Sequence, residues 1–272
     1  MKNTMASHVS LLFTLSFFVT ITALSAQEAT APPGASAEEL AKKLANPIAN
    51  LISVPTQSNL DVGIGAFNGS KLVVNIQPVI PITISPKINL ITRWILPIVS
   101  QFDITGENTS QSGLGDAVIT GFLSPSQSSL TWGVGPALLI PTATDQVLGG
   151  EKFGAGPSVV VLKQSGPWTY GALVNHLFTV SGNEDRDDVN ASFFNPFASY
   201  NWKSGAGITT TLEYTQDWEH DVSVVVAHAL LSGVTKLGNQ TVSLAIGPRI
   251  HFAPDNRAAY GLRAAITMVF PK

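Results

Sequence analysis

The sequence contains no cysteine, which excludes a disulfide scaffold, thiol catalysis and thiolate metal sites. It is also poor in charge, because only 12% of its 272 residues are charged, about half the share in an average soluble domain. Intrinsic disorder needs high charge and little apolar surface, so a hydrophobic content of 44% argues against it. A net charge of -3 offers no basic face, and we expect no nucleic-acid partner.

Long apolar runs are missing after residue 26. A helical membrane protein needs stretches of about 20 apolar residues, whereas proline, glycine or polar residues interrupt every apolar stretch in the rest of this chain. The mean hydropathy of +0.24 is therefore spread along the sequence, not concentrated in blocks.

Residues 1–26 have the layout of a secretory signal peptide. A short polar start holding Lys2 is followed by an apolar core from Leu11 to Leu24, and Ser25 and Ala26 precede the expected cleavage point. The core of about 14 residues is too short to span a bilayer. We therefore expect residues 1–26 to be removed on export.

Residues 27–56 are predicted to form a linker and a short periplasmic helix. Ser36 and Glu39 have the spacing of a capping box, which marks a helix start. The helix should end before Pro47, because the residue preceding a proline is disfavoured in the α region.

From residue 57 onward, apolar side chains alternate with small or polar ones in segments of strand length, and a period of two indicates β-strands. Thr241–Phe252 is the clearest case, since its even-numbered residues include Leu244, Ile246 and Ile250 while Arg249 and His251 are odd-numbered. Twelve strands are predicted, near 57–66, 71–84, 88–102, 113–123, 130–142, 153–164, 168–180, 190–202, 206–218, 221–233, 240–252 and 260–270.

The connections alternate between short turns and longer acidic loops. The longer loops, at 103–112, 143–152, 181–190, 216–221 and 253–259, hold 12 of the 18 acidic residues. An antiparallel meander places the two kinds of connection at opposite ends. Short turns, long loops, an even strand number and an export signal are typical of an outer-membrane barrel.

The fold class is therefore predicted as all-β, a single-domain antiparallel transmembrane β-barrel of 12 strands over residues 57–272, located in the cell outer membrane. We expect both termini to be periplasmic, with outer-membrane lipid and the barrel assembly machinery as partners. The alternative is a secreted β-sandwich. That fold usually carries charge on its outer face, whereas these strands are almost uncharged.

Ionisable residues within the strands fall on one face by parity. Because charge at membrane depth is costly unless it faces water or a partner, a polar lumen is their natural place. The predicted lumen-lining or selectivity residues are Asn75, Gln77, Arg93, Asp116, Glu213, Arg249, His251 and Arg263. An arginine row opposing acids would select ions in a pore. The alternative is a set of salt bridges that fills a narrow barrel.

His176 and His228 fall on the outward parity, where a lipid-facing catalytic histidine would lie. Hydrolysis would require a serine beside the histidine and an orienting group, and no His-x-Ser sequence occurs. We therefore expect no enzyme activity. We also expect no cofactor and no metal.

Three Gly-Pro pairs recur inside strands. Because proline cannot donate to a ladder, bulges are predicted at Pro136, Pro157 and Pro248.

Several segments resemble a family of bacterial exported proteins labelled "transporter" or "neuromedin U", and are more distantly similar to outer-membrane barrels associated with phenol and hydrocarbon degradation. They are Glu39–Pro55, Asn75–Pro81, Ser112–Asp116, Trp132–Asp145, Leu162–Gly171, the Asp187–Asn190 region and Val269–Lys272. The resemblance implies an outer-membrane barrel and brings no catalytic residues. The function expected is a passive channel or uptake transporter for small solutes, including apolar or aromatic ones. The alternatives are a lumen-filled structural or adhesive barrel and a lipid-modifying enzyme.

Overall fold

The computed structural model describes residues 36–126 and 128–270. The predicted signal peptide and residues 27–35 of the predicted linker lie outside the described residues. Within the described ranges, no helix combines the length and the apolarity needed to cross a membrane.

One helix and fourteen strand segments make up the fold. In chain order they are α1 (Ala37–Leu44), β1 (Ile52–Ile64), β2 (Gly69–Ile76), β3 (Val79–Ser85), β4 (Ile88–Phe102), β5 (Ser110–Leu114), β6 (Ala117–Pro125), β7 (Thr131–Ile140), β8 (Lys152–Ser165), β9 (Trp168–Gly182), β10 (Asn190–Asn201), β11 (Ala206–Asp217), β12 (Val222–Leu237), β13 (Gln240–Ala253) and β14 (Tyr260–Phe270).

The segments form a closed antiparallel barrel of twelve strands. Both β2 and β3 pair with β4, and both β5 and β6 pair with it on its other side, so each of these pairs is one interrupted barrel strand. The remaining segments follow in sequence order, and β14 pairs with β1 from Ile52↔Phe270 to Val62↔Tyr260. The predicted 12-strand barrel with a short N-terminal helix is confirmed.

The first strand begins earlier than the sequence indicates. β1 starts at Ile52, not near residue 57, and continues through Pro55. Proline within an apolar run argues against a strand because it lacks a donor. Here Pro55 still accepts a hydrogen bond from Gln77 N at 2.8 Å, which keeps this end of the strand paired.

The two ends of the barrel differ in their connections. The short-turn end carries the connections 86–87, 126–130, 166–167, 202–205 and 238–239, and the long-loop end carries 65–68, 103–109, 141–151, 183–189, 218–221 and 254–259. The described chain enters β1 and leaves β14 at the short-turn end.

The outward face is an apolar belt with aromatic residues near both ends. Trp168 and Trp202 lie near the short-turn end, where each makes an edge-on contact with Tyr200, with ring centroids 5.0 and 5.4 Å apart. Trp218 and Tyr260 are exposed near the long-loop end. Aromatic residues at both edges of an apolar band are typical of barrels in an outer membrane.

The segment 36–51, here called the plug, packs against the barrel wall at the short-turn end. Ser36 and Glu39 form the predicted capping box, and the chain then turns so that Ile48 is buried inside the barrel. The inward side chains around Ile48 form one apolar cluster drawn from β3, β4, β6, β8 and β9: Val79, Ile91, Phe122, Val160, Leu162 and Leu173.

A second apolar cluster holds the helix of the plug. Leu40 packs with Leu51 of the plug and Val269 of β14, and Val234 of β12 lies against them. On another side of the barrel, Gln164 Nε2 donates to the carbonyl of Lys42 at 2.8 Å. The plug therefore contacts the barrel wall around most of its circumference.

The prediction of bulges at the Gly-Pro pairs is wrong. The register of β7 with β8 passes through Pro136↔Pro157 without a shift, and Pro248 pairs in step with Leu262. Instead, a Cβ at Gly135 or Gly247 would collide with a carbonyl of the neighbouring strand. Glycine before proline lets the two strand backbones approach closely. Proline removes a hydrogen bond from the ladder between these strands, but no extra residue is inserted and the register is kept.

Candidate functional site

Seven of the eight predicted lumen residues come from the inward face of the barrel. In an antiparallel pair, residues directly opposite each other point to the same side of the sheet. The inward face can therefore be followed from strand to strand through the paired residues. These residues are Asn75, Gln77, Arg93, Glu213, Arg249, His251 and Arg263. Two carboxylates organise most of them into separate clusters.

The first cluster surrounds Asp61 of β1. Arg249 binds its carboxylate through two hydrogen bonds, Nε to Oδ1 at 2.9 Å and a terminal nitrogen to Oδ2 at 3.1 Å. His251 Nε2 lies 2.9 Å from Oδ1. All three side chains are about nine-tenths buried. Bidentate arginine pairing fixes both groups in place.

The second cluster surrounds Glu213 of β11. Arg263 donates to both carboxylate oxygens, at 2.9 and 3.3 Å, and its Nε donates to Asn59 Oδ1 at 2.7 Å. His228 Nε2 lies 3.1 Å from Glu213 Oε2, although neither ring nitrogen of His228 has a well-aligned hydrogen-bond partner among the described residues.

The prediction that His228 faces outward is wrong. Its side chain is fully buried in the lumen, opposite Thr211 on one side and Arg249 on the other. Strand β12 is apolar on both faces, so alternation alone could not decide which face points inward. The inward face of β12 is identified by the polar residues that lie opposite it on β11 and β13. This information requires the pairing of the strands, which the sequence of β12 does not contain.

Two further cations face the lumen without a carboxylate of their own. Arg93 donates to the neutral Gln77 Oε1 at 2.9 Å, and Lys71 lies opposite Asp61, whose oxygens are engaged by Arg249 and His251. With Arg249 and Arg263 this makes, among the described residues of the two clusters and their neighbours, four cations against the carboxylates of Asp61 and Glu213. These six groups carry a net charge of +2 when the histidines are neutral.

Asp116 lies apart from these clusters, at the break between β5 and β6. Its oxygens accept hydrogen bonds from the backbone of Ala143 at 3.1 Å and Gly150 at 2.7 Å. Arg186 donates to two carbonyls of the same loop, those of Gln146 at 2.8 Å and Gly149 at 2.6 Å. Asp116 therefore organises the loop 141–151 at the rim.

The acidic loops are tied to each other at the rim. Hydrogen bonds to Asp217 at 2.8 Å and Asp187 at 3.3 Å raise the pKa of His220 above its ordinary value. Lys152 Nζ donates to Asp188 at 2.8 Å and holds the pKa of that carboxyl below its ordinary value. Among the described residues, no three histidine or acidic side chains are grouped as metal ligands.

His176 does face outward, and the neighbouring strand supplies a serine. Its Nδ1 lies 2.9 Å from Ser192 Oγ, which also accepts a hydrogen bond from the indole of Trp218 at 2.9 Å. Since a hydroxyl group has one proton and two lone pairs, Ser192 can accept from the indole and still donate to His176 when Nδ1 of that ring is unprotonated. A search for His-x-Ser along one strand misses this pair, because it forms across β9 and β10.

The fold is similar to that of several solved outer-membrane proteins. The COG4313 outer membrane channel from Pseudomonas putida F1 matches with a TM-score of 0.62 and 13% identity, over 81% of this chain and 94% of that chain. Outer membrane phospholipase A from Escherichia coli matches with a TM-score of 0.48 and 12% identity, over 86% and 98% of the two chains.

These likenesses concern the fold. No family model and no curated protein matches the sequence. The closed barrel, its apolar outward belt and its similarity to an outer-membrane channel agree with the predicted location. The protein is a β-barrel of the cell outer membrane.

Proposed function

We propose that the protein is a passive channel or uptake transporter for small solutes and has no enzymatic role. The observation that carries the proposal is the row of charged side chains along the inward face. It descends from Lys71 and Asp61 through Glu213 and Arg263 to Arg93 beside the plug. In this proposal, the row forms the polar lining along which water and solutes pass from the long-loop end.

The plug limits what this path conducts. Because Ile48 is seated among inward side chains of five strand segments, the short-turn end offers only a narrow passage while the plug is docked. We therefore propose low conductance in the resting state. The excess of two lumen cations favours anions over cations, as rings of charge do in other pores.

Recording from purified protein in planar bilayers tests the proposal. We expect small conductance steps and a reversal potential that indicates weak anion preference. Arg249→Glu should shift that preference toward cations, whereas Arg257→Glu, on the exposed loop 254–259, should shift it much less. If neither conductance steps nor liposome swelling is observed, the proposal fails in favour of a lumen-filled structural or adhesive barrel.

A lipid-modifying enzyme is a second candidate because of the outward pair Ser192 and His176. A serine beside a histidine can act as a nucleophile, and this pair faces lipid near the long-loop end. Against it, no described residue bonds His176 Nε2 to orient the ring. Ester hydrolysis in mixed lipid micelles decides the matter. Activity that is lost in Ser192→Ala and kept in the matched outward variant Thr210→Ala would favour the enzyme.

A further inference from the structure

A cavity of about 210 Å³ lies between the plug and the barrel wall. Its polar lining consists of Lys43 and Asn46 from the plug and Ser53, Gln57, Gln77, Arg93 and Thr267 from the wall. Leu44, Leu51 and Val79 are among its apolar lining residues. No carboxylate is among the described residues that line it.

The two cations of the cavity have spare binding capacity. Arg93 has five N–H donors and, among the described residues, uses one of them, on the neutral oxygen of Gln77 at 2.9 Å. Lys43 is exposed and forms no ion pair within 4.0 Å with any part of the chain described. The nearby carboxylate of Glu213 is engaged by Arg263 and His228. Among the described residues, therefore, neither cation has a carboxylate bound directly to it.

We propose that this cavity is a binding site for a small organic carboxylate with an apolar body. The planar guanidinium of Arg93 matches the two oxygens of a carboxylate. Lys43 adds a second positive charge from the plug, and the amides of Gln57 and Gln77 supply further polar contacts. Leu44, Leu51 and Val79 provide the apolar wall that an inorganic anion would not use.

The size of the cavity sets the size of the ligand. At about 30 Å³ per water molecule, it holds roughly seven waters, which suits a ligand of fewer than about ten non-hydrogen atoms. Because one side of the site is the plug and the other is the wall, a bound carboxylate bridges the two. This inference rests on the proposed channel function only in that the solute must reach the cavity from the lumen.

The test is calorimetric titration of the full protein in detergent with benzoate as the probe and benzamide as its uncharged counterpart. A charge-assisted pair predicts that benzoate binds at least about tenfold more tightly than benzamide. Arg93→Gln and Lys43→Gln should each weaken benzoate binding by about tenfold and leave benzamide unchanged. Arg257→Gln removes an equal charge from the exposed loop 254–259 and should have no effect.

A folded barrel changes its mobility on a denaturing gel when it is heated, and this change shows that each variant is folded. Lys43→Gln lies at an exposed helix position, so it tests the site even if Arg93→Gln does not fold. Equal binding of benzoate and benzamide would overturn the proposal, as would equal weakening in the Arg257 variant. Inorganic phosphate that displaces benzoate at similar concentration would overturn the role of the apolar wall. Titration in micelles requires no passage of solute through the barrel. A lack of benzoate binding would therefore overturn this inference alone, whereas a lack of conductance in bilayers would overturn the proposed channel function.

Discussion

The strongest prediction concerns Ile48, the side chain that anchors the plug inside the barrel. It is 3% exposed and packs against Ile91, Phe122 and Val160 among others. Replacing it with alanine removes three carbon atoms from a fully packed apolar cluster. The wall strands are held by their own ladders, so the change should weaken docking of the plug without opening the barrel.

The magnitude follows from the burial of this side chain. Isoleucine-to-alanine changes at fully buried sites cost about 2–5 kcal/mol. At about 1.4 kcal/mol for each factor of ten, the equilibrium between docked and released plug shifts by between about 30-fold and several thousand-fold. The plug of the variant should therefore be released far more often than that of the unmodified protein.

Single-channel recording of Ile48→Ala measures this shift. We expect a larger conductance level to appear or to be occupied far more often than in the unmodified protein. The matched control is Ile98→Ala, which removes the same atoms from an outward position that is 41% exposed. If the two variants show the same open probability, then docking of Ile48 does not control the width of the lumen and the argument is refuted.

Three further predictions concern charges of the lumen and the rim. Glu213→Gln should destabilise the barrel by about 3–5 kcal/mol, because it leaves a buried arginine without its partner; the midpoint of heat-dependent gel mobility measures this. The raised pKa of His220 means that its loop contacts are fully present below pH 6.5 and are lost as the pH rises through the raised value. Proteolytic cleavage at 183–189 should therefore increase with pH in the native protein, and His220→Gln should abolish that dependence. Asp116→Ala removes two charge-assisted hydrogen bonds of about 1.5–3 kcal/mol each and should speed amide exchange within 143–150, whereas unchanged exchange would contradict its role in the loop.

The architecture could be predicted from the sequence because a strand with one face in lipid must keep that face apolar and uncharged. Alternation, turn residues and acidic loops each indicate the same twelve strands. The first strand nevertheless starts earlier, at Ile52, and two others are interrupted, one as β2 with β3 and one as β5 with β6. Strand β13 shows why this works. Arg249 and His251 share a parity that excludes lipid, while Ile246 and Ile250 occupy the other.

The site was less predictable because its contacts cross between strands and between the plug and the wall. His228 lies in a strand that is apolar on both faces, so its sequence neighbours hold no information about its partner Glu213. Ser192 meets His176 from the adjacent strand. Nothing near Ile48 indicates that a residue preceding the barrel inserts among the inward side chains of strands far along the chain.

The position of the plug also has a consequence for the order of folding. Gln164 bonds Lys42 across 122 residues of sequence, and Ile48 rests on β8 and β9, which follow it at similar separations. Contacts between residues so distant in sequence form slowly, because the intervening chain must first be ordered. The N-terminal segment precedes every strand in the sequence, yet it must wait for those strands before it can dock. Strand β1, which follows the plug directly in the sequence, pairs with the last strand, β14. Closure of the barrel and docking of the plug should therefore be the coupled last steps of assembly.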